Sequence, residues 1–124
     1  MGLFNFGNKG GQTKSLNWTE LSTVNELEKA LARSSETPCL FFKHSTRCSI
    51  SSMALSRFES DWKEDANCEL YFIDLIANRE VSNKLSELTG VQHQSPQTIL
   101  VENGESILDA SHSGISAEEL MKKL

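Results

Sequence analysis

The sequence has few of the residues that mark a secreted, nucleic-acid-binding or membrane protein. Its 124 residues include three cysteines, an odd number that does not form a paired disulfide framework, so we expect reduced thiols. The net charge is -5, and no basic run exceeds Lys122–Lys123, which argues against a nucleic-acid partner. Apolar runs of bilayer-spanning length and a secretory signal are missing. We therefore expect a cytoplasmic monomer that binds neither nucleic acid nor membrane.

Apolar residues are also missing from the stretch "GNKGGQTKS" at residues 7–15, which contains three glycines. Such a composition is typical of a flexible segment outside a packed core. The chain as a whole is 38% hydrophobic and 23% charged, which is ordinary for a globular domain. The sequence thus predicts a flexible N-terminal segment over residues 1–15 and one folded domain over residues 16–124.

Local signals along the domain predict alternating strands and helices. Continuous apolar runs such as "PCLFF" and "LYFIDLI" are typical of strands buried on both faces, whereas capping residues and helical spacing mark the helices. In chain order, the predicted elements are a strand over 16–21, a helix opened by the Thr23–Glu26 capping box, a strand over 38–42, a helix from about Ile50 to Trp62, a strand over 70–76, a helix from Asn78 to Gly90, strands over 98–101 and 106–110 joined at Asn103–Gly104, and a helix opened by Ser116. This order predicts an α/β protein with a thioredoxin-like fold, in which helices cover both faces of a central mixed sheet.

The second helix has a specific predicted inward face. Ile50, Met53, Ala54, Phe58 and Trp62 recur at helical spacing, so we expect all five side chains to face the core.

Cys48 stands where the central strand passes, through the stretch "HSTRCSIS", into this second helix. Free N–H groups and partial positive charge at a helix start favour a thiolate over a thiol. The stretch 37–58 contains no Asp or Glu, yet it includes Lys43, Arg47 and Arg57. We therefore predict that Cys48 is a nucleophile rather than an inert buried cysteine, with Lys43 and His44 as possible assisting groups.

A second thiol for Cys48 is missing at the place where a dithiol oxidoreductase carries it. Ser51 occupies the final position of the Cys-X-X-Cys spacing. Cys39 lies inside one apolar strand run and Cys68 just before another, so we expect both to be packing residues. Cys48 should then act alone: it attacks a mixed disulfide, frees the client's thiol and waits for an outside thiol.

The stretches "FFKHSTRCSISSMALSRFE" and "GVQHQSPQTILVENGESILDASHSGIS" carry a family resemblance. They resemble the YtxJ-type bacillithiol-system proteins, the monothiol bacilliredoxins of the thioredoxin superfamily, and the likeness runs from about Trp18 to the C-terminus. The resemblance implies a cytoplasmic reductase that removes bacillithiol from S-thiolated client proteins. It implies bacillithiol as co-substrate and no tightly bound cofactor or metal.

Site residues follow from the same resemblance. Cys48 matches the single nucleophile, Pro96 the cis-proline, and Ser95 the residue whose backbone pairs with a bound disulfide partner. Ser49 departs from the family's proline. The further predicted substrate-binding residues are Arg47, Ser49, Ser51 and Gly114. Gly114 belongs to a helix start whose free N–H groups offer an anion site, and the alternative there, which the sequence favours, is that Ser116 simply caps its helix.

Alternative functions stay open at this point. The chain also suits a non-catalytic thioredoxin-like binding module, or a monothiol glutaredoxin-like protein that uses an iron–sulfur cluster, glutathione or coenzyme A. A zinc site is not expected, because no paired Cys or His motif is present. A Cys-X5-Arg phosphatase loop is excluded because Ala54 occupies the arginine position.

Overall fold

A computed structural model describes residues 16–124, so the segment predicted over 1–15 lies outside the described residues. The predicted order of helices and strands is confirmed, with an added 3₁₀ turn before the last helix. The elements are β1 (Thr19–Glu20), α1 (Val24–Arg33), β2 (Cys39–His44), α2 (Ser49–Asp61), β3 (Glu69–Asp74), α3 (Arg79–Thr89), β4 (Gln97–Glu102), β5 (Glu105–Ser111), the 3₁₀ turn (His112–Gly114) and α4 (Ala117–Met121). Within this described part, no helix is long and apolar enough to cross a membrane.

The sheet is mixed, with the strand order β1-β3-β2-β4-β5. β1, β2 and β3 are parallel, while β4 runs antiparallel to β2 and to β5. All six residues of β2 are buried, because helices cover both faces of this central strand. Residues of α2 and α4 pack in one core cluster and residues of α1 and α3 in another.

Three local signals act as the sequence predicts. Thr23 and Glu26 form a complete capping box at the start of α1. Gly90 ends α3 in the left-handed conformation, with φ 74°. Asn103 and Gly104 join β4 to β5 with φ values of 52° and 78°, the two positive φ angles that a tight hairpin turn requires.

An aromatic cluster fixes α2 against the sheet. The ring of Trp18 lies 5.8 Å from Phe42 of β2 and 5.7 Å from Phe58 of α2, measured between centroids. The indole N–H of Trp18 donates to the Glu59 carboxylate at 2.9 Å, and burial raises the pKa of Glu59. Since each buried aromatic contributes roughly 1.5–3 kcal/mol, this cluster holds the C-terminal half of α2 against the sheet.

The predicted inward face of α2 is partly wrong. Ala54 and Phe58 are buried, but Ile50 is 57% and Met53 67% exposed. Ser51 is fully buried in their place, so the inward stripe runs through Ser51, Ala54 and Phe58. The Ser51 hydroxyl has hydrogen-bond partners inside the protein, and these bonds offset the free-energy cost of burying a polar group.

Candidate active site

Cys48 is the N-cap residue of α2 and has an extended backbone, with φ -116° and ψ 120°. Its N–H donates to Ser45 O at 3.2 Å, and its carbonyl accepts from Ser52 N at 3.1 Å. The side chain is half-buried, makes no capping hydrogen bond and forms no disulfide. The first turn of α2 carries no acidic residue, so the partial positive charge of this helix end is available to a thiolate.

Cys48 and Pro96 belong to the same edge of the sheet. Lys43 pairs with Gln97 at the point where β2 ends and β4 begins. Pro96 immediately precedes that pair, and Cys48 follows β2 by a short loop. The carbonyl of Pro96 accepts from His112 N at 3.0 Å, and the 3₁₀ turn that begins at His112 lies against α2. The fold thus brings three separate segments to the edge of the sheet at which Cys48 lies.

Ser95 comes directly before this edge, and the Ser95–Pro96 peptide bond is cis. The Ser95 hydroxyl oxygen is buried and has no hydrogen-bond partner among the described residues. Pairing of the Ser95 backbone with a disulfide partner stays a prediction.

Ser51 lies inside the protein rather than at the surface where a substrate would contact it. Its hydroxyl oxygen accepts from Ser45 N at 3.0 Å and lies 2.7 Å from His44 Nδ1. The predicted substrate-binding role of Ser51 therefore does not fit its place, because a fully buried hydroxyl with two partners is not free for a ligand. Ser51 instead anchors the loop that leads to Cys48.

The contact between its Nδ1 and the Ser51 hydroxyl holds the His44 ring in place. Burial lowers the pKa of His44, and the nearby Asp74 carboxylate opposes that shift. The imidazole is therefore neutral at neutral pH, and its Nδ1 is already engaged with Ser51. A neutral, buried histidine supports the loop beside Cys48, and its predicted assistance in catalysis stays a prediction.

Asp74 places a carboxylate at the same sheet edge as His44. The stretch 37–58, which includes Cys48, contains no acidic residue of its own. The register of the parallel strands β2 and β3 sets Asp74 opposite His44. Its Oδ1 accepts from Ile76 N at 3.0 Å and from Ala77 N at 3.3 Å. These backbone bonds satisfy the carboxylate locally, in the turn that follows β3.

Lys43 faces away from α2, so its predicted assistance to Cys48 is not supported. Successive residues of a strand point to opposite faces, and His44 takes the α2 face. The Lys43 ammonium lies 2.9 Å from Ser86 Oγ of α3 and 3.2 Å from His93 Nδ1. The residue is fully buried, and burial lowers the pKa of Lys43 to about 8.

Among the other predicted substrate-binding residues, Arg47 and Ser49 flank Cys48 and are exposed. Gly114 ends the 3₁₀ turn rather than opening a helix. The helix beyond it has five residues, two glutamates in its first turn and Ser116 as its cap, with the hydroxyl accepting from Glu119 N. An anion site there is not supported, because the acidic side chains already occupy the positive end of α4.

The two remaining cysteines lie at the opposite edge of the sheet. Cys39 begins β2, so the length of that strand, about 17 Å, separates it from the edge that carries Cys48. Burial raises the pKa of Cys39 to about 11 and that of Cys68 to about 12. Neither thiol is placed to resolve a disulfide on Cys48. Residues 16–124 also contain no group of three or more His, Cys, Asp or Glu side chains that could hold a metal ion.

Sequence reasoning missed an exposed apolar rim around Cys48. Ile50 and Met53 belong to the start of α2. Ile76 follows β3 at the same sheet edge and is 42% exposed. Helical spacing alone did not reveal this, because residues 50 and 51 both fit a stripe through Ala54 and Phe58.

Comparisons with known proteins show which family and which fold this chain resembles. A family model described as monothiol bacilliredoxin BrxC matches residues 19–120. A solved structure described as a candidate oxidoreductase with a thioredoxin fold is 25% identical, with a TM-score of 0.73, over 85% of this chain and 91% of that chain. A Schistosoma mansoni thioredoxin pre-protein is 21% identical, with a TM-score of 0.69, over 88% and 98% of the two chains. Fasciola hepatica thioredoxin is 20% identical, with a TM-score of 0.64, over 84% and 93%. The predicted thioredoxin-like fold is confirmed.

Proposed function

Because this chain belongs to the monothiol bacilliredoxin BrxC family of thiol redox proteins, we propose that it reduces mixed disulfides between client proteins and bacillithiol in the cytoplasm. One observation carries the proposal. Cys48 is an unpaired, half-exposed thiol at the start of α2, and the other two cysteines lie at the far edge of the sheet. A reaction that begins on Cys48 must therefore end with a thiol from outside the protein.

The chemistry has two exchange steps. The Cys48 thiolate attacks the bacillithiol sulfur of the mixed disulfide, so a new S–S bond forms while the client leaves as a thiolate and takes up a proton. A second bacillithiol, as thiolate, then attacks the adduct on Cys48. That step releases bacillithiol disulfide and restores the Cys48 thiolate. Overall, the one incoming bacillithiol thiol is oxidised to its half of bacillithiol disulfide, the client sulfur is reduced to a thiol, and the protein ends in its starting state.

Residues around Cys48 divide the recognition between the two substrates. The exposed Arg47 and Ser49 contact the small thiol, whose carboxylates suit a guanidinium. The exposed Ile50 and Met53 contact apolar side chains of the client. The backbone of Ser95 pairs with the strand-like segment that carries the client's cysteine.

The test mixes the full-length protein with a client that carries bacillithiol on one cysteine and follows both by intact mass. Wild-type protein should gain the bacillithiol mass while the client loses it, and Cys48→Ser should not. Cys68→Ser is the matched control, because its thiol lies at the opposite edge, and it should transfer like wild type. Transfer by Cys48→Ser would contradict the proposal.

Parallel reactions separate the small thiol from the chemistry. Clients that carry glutathione or coenzyme A should react more slowly than the bacillithiolated client. Faster transfer from either would keep the reductase and overturn bacillithiol as its co-substrate. Stable binding of the client without transfer from any of the three would instead indicate a non-catalytic binding module.

A further inference from the structure

The segment 91–96, called here the proline loop, joins α3 to β4 and ends at Pro96. It has no regular secondary structure. Among the backbone-to-backbone hydrogen bonds described outside helices and strands, one involves this loop, from His112 N to Pro96 O. A segment without a regular backbone ladder must satisfy its polar groups by other means, so side chains have to fix its shape.

The side chain of Gln97 fixes part of the proline loop by hydrogen bonds to its backbone. Its side chain is 99% buried, since the residue is 1% exposed. Its Nε2 donates to Gln92 O at 2.9 Å, and its Oε1 accepts from Gln94 N at 3.3 Å. One amide therefore bridges two backbone groups of the proline loop, and its donor and acceptor have fixed relative positions.

The Gln97 backbone is itself immobilised. It pairs with Lys43 of β2 on one side and with Ser111 of β5 on the other. The loop is thus tied, through one side chain, to the sheet edge that also carries Cys48.

His93 is a second anchor of the same loop. Its Nδ1 lies 3.2 Å from Lys43 Nζ and 3.3 Å from Ser82 Oγ. An ammonium group only donates hydrogen bonds, so His93 Nδ1 accepts from Lys43 and the ring carries its proton on Nε2. Lys43 is buried and also donates a hydrogen bond to Ser86 Oγ. The middle of the loop is therefore fastened to both β2 and α3.

We propose that Gln97 is a positioning residue which, together with the Lys43–His93 contact, fixes the proline loop so that the Ser95 backbone meets a client disulfide in line with Cys48. This inference rests on the proposed function. Gln97 touches neither the substrate nor the reacting sulfur. It acts by holding the segment that aligns the client, and a misplacement of about 1 Å at such a segment can slow a reaction by about 100-fold.

Two reactions of the Cys48 thiol should depend differently on Gln97. A small alkylating reagent such as iodoacetamide needs only the Cys48 thiolate, which α2 supplies. A client mixed disulfide also needs the aligned loop. Loss of Gln97 should therefore slow the second reaction without slowing the first.

The experiment compares Gln97→Leu, which keeps the size but removes both amide contacts, with Asn83→Leu. Asn83→Leu is the matched control, because it makes the same change of an amide to a leucine at an exposed position of α3, outside the proline loop. Gln97→Leu should lower kcat/KM for the bacillithiolated client by between about 10-fold and 100-fold. Asn83→Leu should stay within about twofold of wild type, and alkylation of Cys48 should change less than about twofold in both variants.

Further variants keep the test decisive if Gln97→Leu does not fold. Gln97→Glu keeps the shape and the acceptor for Gln94 N but sets a carboxylate oxygen against Gln92 O, so it should also lower client reduction. His93→Gln retains an acceptor for Lys43 and should keep more activity than His93→Ala.

Two results would overturn the inference. One is client reduction by Gln97→Leu and Gln97→Glu at the wild-type rate. The other is a parallel loss of client reduction and of Cys48 alkylation, which would show that Gln97 acts on the nucleophile or on folding. A wild-type protein that reduces no mixed disulfide at all would overturn the proposed function, and this inference with it.

Discussion

The three cysteines should differ widely in their reactivity, and that difference tests the assignment of Cys48 directly. Cys39 is fully buried and Cys68 is partly buried. Cys48 is half-buried and stands at the N-terminus of α2, where the first N–H groups favour an anion. Because the thiolate is the form that reacts with an alkylating agent, the order of reaction reports which sulfur is ionised and reachable.

The magnitude follows from the pKa values. With a pKa of about 11, Cys39 is ionised at pH 7 to about one part in 10⁴, and Cys68, with a pKa of about 12, to about one part in 10⁵. A free cysteine of reference pKa, about 8.5, is about 3% ionised at that pH. The ionised fractions of Cys39 and Cys68 are therefore lower than that of the reference thiol by about 300-fold or more. Both should react far more slowly than the reference thiol, and Cys48 should react no more slowly than it.

The assay treats folded protein at pH 7 with limiting iodoacetamide, quenches at intervals and measures the modified fraction of each cysteine by peptide mass spectrometry. Free cysteine in the same tube supplies the reference rate. Protein unfolded in urea is the control, since all three thiols should then react at similar rates. Equal modification of Cys39, Cys48 and Cys68 in the folded protein would refute the reasoning.

Two further predictions concern stability. Thr98 is fully buried and its hydroxyl has no hydrogen-bond partner among the described residues, so Thr98→Val should raise the free energy of unfolding in urea by about 1 kcal/mol; a destabilised variant would show that the hydroxyl has a partner. Burial lowers the pKa of Lys43 in the folded state from 10.5 to about 8, so between pH 8 and pH 10.5 the unfolded state binds more protons than the folded state. The free energy of unfolding should therefore rise with pH, by about 2 kcal/mol from pH 7.5 to pH 9.5. Lys43→Met should lack this gain in urea titrations at the two pH values, and an equal gain in the variant would contradict the assignment.

Local signals account for the parts of the fold that the sequence predicted well. The Thr23–Glu26 capping box, the Asn103–Gly104 turn and Gly90 each act within a few residues, so their physics is visible in a short stretch. β1 is the contrasting case, because strand pairing covers only Thr19–Glu20 of the predicted 16–21. Where pairing stops on an edge strand depends on its neighbour and not on its own residues.

Long-range partners account for what the sequence could not predict. Ser51 turns inward because its hydroxyl oxygen accepts from Ser45 N and lies within hydrogen-bond distance of His44 Nδ1, whereas hydropathy alone would place Ile50 there. Lys43 is buried because Ser86 and His93, far along the chain, meet its ammonium group. Such pairings become visible only once the sheet register is known.

The burial of Ser51 also gives a physical reason why this site works with one thiol. A hydroxyl at that position cannot resolve a disulfide, but it supplies two hydrogen bonds that hold the loop before Cys48. Cys39 lies at the other end of β2, so the length of that strand, about 17 Å, separates it from the edge that carries Cys48. In the proposed reaction, an adduct on Cys48 would persist until a diffusing thiol reaches it, so the half-exposed position of Cys48 would matter for the second step as much as for the first.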